Sequence, residues 1–241
     1  MDKNENIIEQ IRQGKIDINN QQLFFSILLK GLMMKLKQDI TIRDYPVPHI
    51  ITHTGKDWMY LENKGYDNSQ EPLTVTNEDY IYNAIPRCNV SPGGIDLIPD
   101  QLTNPYTLGM LQFETDDAVY SLYSEFRRMP LKLGVELKYV TDSFRDHLEL
   151  VQQIITKLTF IRTFKIIYMG QEIQCSYRIP ESFSGEHLTE MDGMTTDAKQ
   201  HTLQLSIEVE TNLPIYSPQT IISADSYILD HVAHINDKKI E

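Results

Sequence analysis

His49, His53 and Asp57 are the residues whose types and spacing come closest to a metal centre in this sequence. Residues four apart on a strand share a face, and imidazole with carboxylate is a common donor set for zinc or iron. The set offers only three donors, lies in a segment interrupted by Pro46 and Pro48, and has no HExxH helix beside it. The expectation is therefore histidines held by ordinary hydrogen bonds, with a metal-dependent hydrolase as the enzyme alternative. His231 and His234 with Asp225 and Asp230 form a second group near the C-terminus, where a polar tail is the simpler explanation. No GxSxG frame surrounds a serine, and neither cysteine is accompanied by a recognisable histidine partner motif. Gly93 and Gly94 lack the GxGxxG or GxxxxGK[ST] setting that cradles a phosphate, so they read as a turn. The residues predict no catalytic site, no cofactor and no metal.

The elements that position these residues follow from hydrophobic spacing. Residues 131–139 place Leu131, Leu133, Val135, Leu137 and Tyr139 on alternate positions, which predicts a strand with one buried face. A helix is expected over residues 143–159, capped by Asp142 or Ser143, with Phe144, Leu148, Val151, Ile154, Ile155 and Leu158 on its apolar side. Residues 164–169 and 172–179 read as two strands joined by a tight turn at Gly170 and Gln171, giving a β-α-β-β order. A final strand starts at His201, with Leu203, Leu205, Ile207 and Val209 alternating, and the chain is expected to break at Pro214 and Pro218.

The first half is less regular. Residues 20–38 predict a helix buried on several sides, with Asn19 and Asn20 as candidate caps. Short β-like pieces follow from residue 40 to 61, an exposed loop over 62–72 and a strand over 79–85. Residues 86–100 hold three prolines and two adjacent glycines, which predicts extended chain outside any regular ladder. Around residues 115–117 a hairpin is favoured, with a helix over 117–128 as its rival, since Val119, Leu122, Tyr123 and Phe126 also fall at helical spacing. The expected fold is α/β (α+β): a mixed, mainly antiparallel sheet with one long helix packed on it. It divides into an N-terminal helical arm (1–40), a core domain (41–213) and a C-terminal arm (214–241).

Composition narrows the function classes. A net charge of −12 and a pI near 5.0 argue against a protein that grips phosphates tightly, while leaving open a channel wall past which DNA slides. Cys88 and Cys175 form no CxxC pair and read as free thiols of a reducing cytoplasm. No secretion signal opens the chain, and the most apolar stretch, residues 23–36, falls short of the roughly 20 residues a bilayer span needs. Of the thirteen tyrosines, Tyr66, Tyr106, Tyr216 and Tyr227 fall in expected loops or arms, where tyrosine serves contact surfaces.

From residue 83 to 218 the order of segments is distinctive: IPRCNV, IDLIPDQLTNPYTLG, PLKLGVELKYVTDS, QQIITKL, FKIIYM, EIQCSYRI and HTLQLSIEVETNLPIYSP. This order resembles the proximal tail sheath stabilisation and completion proteins of contractile-tailed bacteriophages, a tail-terminator family with an α/β core. The resemblance implies a virion protein assembled in the host cytoplasm. It implies a hexameric ring that caps tail tube and sheath, meets the neck, and carries no catalytic residues. The implied partners are copies of itself and tail tube, sheath and neck proteins, with no membrane; another neck, connector or baseplate component is the alternative. The apolar N-terminal helix and the short C-terminal arm depart from the family pattern. A ring subunit needs loops and arms that gain partners. The expected contact residues are Glu181, Phe183, His187, Met191 and Met194 in the 181–199 loop, the pair Arg127 and Arg128, and Tyr216 and Tyr227 in the arm.

Overall fold

The structure, a computed structural model, describes residues 3–51, 85–98, 106–114, 119–158, 162–178 and 201–224. The helices are α1 (Lys3–Arg12), α2 (Phe24–Asp39) and α3 (Phe144–Gln153), the last running into a π-turn at Ile154–Leu158. The strands are β1 (Thr41–Ile42), β2 (Tyr45–Pro46), β3 (His49–Ile51), β4 (Arg87–Leu97), β5 (Thr107–Glu114) and β6 (Val119–Thr141), followed by β7 (Arg162–Tyr168), β8 (Gln171–Arg178), β9 (His201–Tyr216) and β10 (Ile222–Ser223). The larger sheet has the order β3-β4-β6-β9-β8-β7, with β5 and β10 also on β6. Every pair in it is antiparallel except β3 with β4. The fold is thus mixed α/β with a curled, mainly antiparallel sheet. The curl brings the β7–β8 turn onto β5, where Gln112 N–H donates to the Met169 carbonyl at 2.8 Å.

Strand β6 is the spine. The segments on either side of Met129 and Pro130 form one 23-residue strand, and its first half pairs with β5 as a hairpin, not as the rival helix. Three prolines sit inside strands at places where a missing N–H costs nothing. The Pro130 carbonyl accepts from Ile98, so its nitrogen points to the side on which β5 has ended and β4 has just begun. Cys88 N–H donates to the Pro48 carbonyl on the β3 side; by alternation Pro92 points the same way, beyond the last β3 pair at Val90. Residues 86–100, expected outside any ladder, therefore supply β4, and a bulge between Pro92 and Ile95 absorbs the glycine pair opposite Gly134.

The chain also does not break at Pro214. Tyr216 directs its N–H and carbonyl away from β6, onto Asn19: Asn19 Oδ1 accepts at 2.8 Å and Nδ2 donates at 3.1 Å. Pro214 shares that outward parity, and β8 has already parted from β9, since their pairing covers only Ser176–Arg178 against Glu208–Glu210. Strand β9 continues to Tyr216, a 3-10 turn (Pro218–Thr220) follows, and β10 pairs with Tyr123 and Leu122 of β6. Ile221 is fully buried, so residues 214–224 belong to the core and do not form an arm. The same holds at the other end: Ile7, Ile8 and Ile11 of α1 and six residues of α2 are buried. Each fully buried Leu or Ile contributes about 1.5–3 kcal/mol. Asn19, read as a helix cap, lies in a 3-10 turn (Ile18–Asn20) capped by Asp17 and serves as the clamp on Tyr216; Leu23 occupies the α2 N-cap without a side-chain bond.

Helix α3 shows how pattern reading can choose the wrong stripe. Ile154 and Leu158 are buried as expected, but Phe144, Leu148 and Ile155 are exposed, and Asp146, His147 and Leu150 face inward. Ser143 makes no side-chain cap. Asp146 is tied down by Arg43, whose Nε donates at 3.0 Å while its Nη2 meets the second carboxylate oxygen. Arg43 reaches it from a two-residue hairpin turn, in which Arg43 and Asp44 adopt positive φ (53° and 66°) between β1 and β2. Gln153 bonds the Thr41 backbone and Lys157 donates to the Asp39 carbonyl at 2.7 Å, so α3 is locked to the end of α2. At the other side of α2, Gly31 meets β7 so closely that a Cβ there would stand 2.5 Å from Ile166 Cγ2.

Candidate functional site

The metal-like group resolves at His49 alone, because His53 and Asp57 lie outside the described residues. His49 is buried between two partners: Nδ1 donates to the Val47 carbonyl at 2.8 Å, and Nε2 accepts from the Tyr139 hydroxyl at 3.1 Å. That assignment fixes the Nδ1–H tautomer and leaves neither nitrogen for a metal. Burial holds the ring neutral, lowering its pKa from 6.5 to about 4. Burial also pushes the Cys88 thiol and the Tyr139 hydroxyl well up, so this polar cluster is inert and structural. Cys175 is likewise buried, beside Thr211 Oγ1 at 3.2 Å. Among the described residues no group of three or more His, Cys, Asp or Glu is placed to hold a metal ion, and no helix is long and apolar enough to cross a membrane.

The surfaces fitted for contact arise from a change of face along the β6–β9 ribbon. In the half nearer α3 the odd-numbered residues are buried, Leu131 to Tyr139 on β6 and Leu203 to Thr211 on β9. Beyond Pro130 and Leu213 the even-numbered ones are buried instead: Leu122, Ser124, Phe126, Pro214 and Tyr216. Tyr123, Glu125, Arg127 and Ile215 consequently point outward. Beside them stand Tyr106, just before β5, and Leu108 on it, and Tyr106, Leu108 and Ile215 are 55%, 42% and 40% exposed. The Arg127 guanidinium lies over the Tyr106 ring at 4.9 Å, while its Nε is buried and meets no acceptor among the described residues. An aromatic, aliphatic residues and an arginine on one outward sheet face have the composition of a protein contact surface. A second such surface is the exposed stripe that runs from α3 into its π-turn, with Phe144 and Leu148 on the helix and Ile155 on the turn.

Arg127 therefore belongs to an outward face. Arg128 points the other way and stacks on Phe126 at 5.6 Å, so the two adjacent arginines do not act as one pair. Tyr216 is buried, 5.4 Å from Phe126 ring to ring, and is a core residue, not a contact residue. Glu181, Phe183, His187, Met191, Met194 and Tyr227, with Tyr66, Asp225, Asp230, His231 and His234, lie outside the described residues. Sequence reasoning missed Leu108 and Ile215, because which parity faces out depends on the switch at Pro130. It also missed that Phe144 and Leu148 are exposed, although two competing stripes in α3, one with Asp146 and His147, were there to be noticed. No protein-family model and no curated protein sequence matches this chain.

Proposed function

We propose that this protein is a virion structural protein of a contractile-tailed phage. In this reading it is one subunit of a ring, six copies in number, that terminates and stabilises the tail tube and sheath and joins the tail to the neck. It is a docking scaffold without catalysis, and its partners are other copies of itself together with tube, sheath and neck proteins. The order of segments from residue 83 to 218 supports the reading, as does a curled antiparallel sheet carrying a helix between β6 and β7. The observation that carries it is the outward face around Arg127. Exposed Tyr106, Leu108 and Ile215 around a half-buried guanidinium make an outward apolar face that a chain working alone has no use for and that assembly would cover.

The test is electron microscopy of the purified full-length protein, alone and mixed with tail tubes. Rings of uniform diameter, or density added at one end of the tubes, are expected. Single subunits under both conditions, with no decoration of the tubes, would refute the proposal.

A further inference from the structure

Resting on the ring reading, we infer that the C-terminal segment of one copy, centred on Asp230, adds as a strand to the outer edge of β7 in a second copy. Strand β7 ends the sheet order on one side. Its two-residue turn to β8, with Met169 and Gly170 at positive φ, sets Tyr168 against Gln171, so Arg162, Phe164, Ile166 and Tyr168 bond to β8. Thr163, Lys165 and Ile167 therefore turn their backbone N–H and carbonyl groups outward, and no partner strand meets them among the described residues. A groove of about 430 Å³ runs beside this edge, between Thr163 and Lys165 and the stripe Gly31, Met34, Lys35 and Gln38 of α2. Outward N–H and carbonyl groups on alternate residues are matched by another extended backbone.

The side chains select which backbone. Thr163, Lys165 and Ile167 occupy the exposed face of β7, and Ile167 is 70% exposed. Residues 225–241 follow Ala224 and place Ile228, Asp230 and Val232 on alternate positions. An antiparallel register with Asp230 opposite Lys165 brings Ile228 to Ile167 and Val232 to Thr163, a charge pair between two pairs of β-branched residues. Lys165 already holds Glu172 at 2.7 Å from the β8 side, and its ammonium has donors left for a second carboxylate. Leu229 and His231 then fall opposite Ile166 and Phe164, on the side of the sheet that packs against α2. The course of the chain assigns the segment to a neighbour. Thr163 is level with Lys132 of β6, through Ser176 and Glu210, whereas β10 pairs with Leu122 and Tyr123 near the start of β6. Strand β10 keeps the direction of β9, so the chain leaves Ser223 heading away from its own β7 edge. Tail and edge are different surfaces, and their pairing is the head-to-tail geometry that closes into rings when the rotation permits.

Disulfide capture between full-length chains tests the pairing, because both native cysteines are buried. One chain carries Lys165→Cys and another Asp230→Cys, and thermal melts verify that each folds; should either misfold, Ile167→Cys and Ile228→Cys replace them. Cysteines opposite each other on paired strands stand within bridging distance. Mild oxidation of the equimolar mixture is expected to give a cross-linked dimer, in about tenfold higher yield than a mixture of Lys165→Cys with Leu229→Cys, whose thiol takes the opposite face. Equal yields at the two tail positions, or no dimer at all, overturn the inference, and rings of the wild-type chain in electron micrographs then leave the ring reading standing. A chain carrying both Lys165→Cys and Asp230→Cys is expected to form cross-linked multimers; a monomer closed on itself overturns the assignment to a second copy. A wild-type chain that stays single, both alone and with tail tubes, overturns the ring reading and the inference together.

Discussion

Replacing His49 with Gln is expected to change how stability depends on pH. The ring is 3% exposed and uses both nitrogens while neutral, so the folded chain takes up its proton only near pH 4. The unfolded chain takes up the same proton near the ordinary value of about 6.5. Between those limits the unfolded state binds more protons, and stability must fall as pH falls from about 6.5 to about 4, levelling off below. At roughly 1.36 kcal/mol for each pH unit between the two values, the full loss is about 3 kcal/mol, a large share of a typical domain's stability. Glutamine can keep one donor and one acceptor in the site but does not titrate. Urea unfolding of both proteins at several pH values from 7.5 to 4 provides the measurement. Carboxylates titrate in both proteins and cancel in the difference. The stability advantage of wild type over His49→Gln is expected to shrink by about 3 kcal/mol across the window. A difference that stays constant would show that the ring is not held neutral and would refute the reasoning.

Other perturbations should be equally legible. Arg43→Ala strands the Asp146 carboxylate, which is almost fully buried, and is expected to cost about 3–5 kcal/mol, whereas Asp146→Asn leaves only a half-exposed arginine and costs less; chemical denaturation ranks the two. Gly31→Ala drives a methyl into Ile166 and is expected to cost about 1–3 kcal/mol, seen as a lower Tm. Both thiols are buried with their pKa values raised, so a thiol reagent at pH 8 is expected to label neither cysteine in the folded protein and both after denaturation.

Much of the second half of the fold was legible because its signals are local. Alternation announced the α3-proximal half of β6 and the start of β9, and Gly170, at φ 78°, marked the β7–β8 turn to within a residue. What escaped were features decided by absent neighbours. A proline is compatible with a strand wherever no partner needs its N–H, and whether Pro92, Pro130 and Pro214 met that condition depended on where β3, β5 and β8 stop. Tyr216 looked like an arm residue only because the strand was assumed to end before it. The apolar side of α3 was misjudged because Arg43, a hundred residues earlier, makes burial of Asp146 affordable. Of the two outward apolar faces, the arginine of one was visible in the sequence, but its aromatic and aliphatic surroundings were assembled by the sheet.

The rim of β9 between Glu210 and Tyr216 has a consequence for how copies can join. With Pro214 offering no hydrogen and the Asn19 amide occupying both groups of Tyr216, that border cannot serve as a template on which a foreign strand zips up. Copies meeting this molecule there must bind through side chains, a bond that dilution, salt or one altered residue can undo. In the proposed ring, such a contact would let a misplaced copy be released before it is locked in, and the free chain is spared runaway fibre growth from that border.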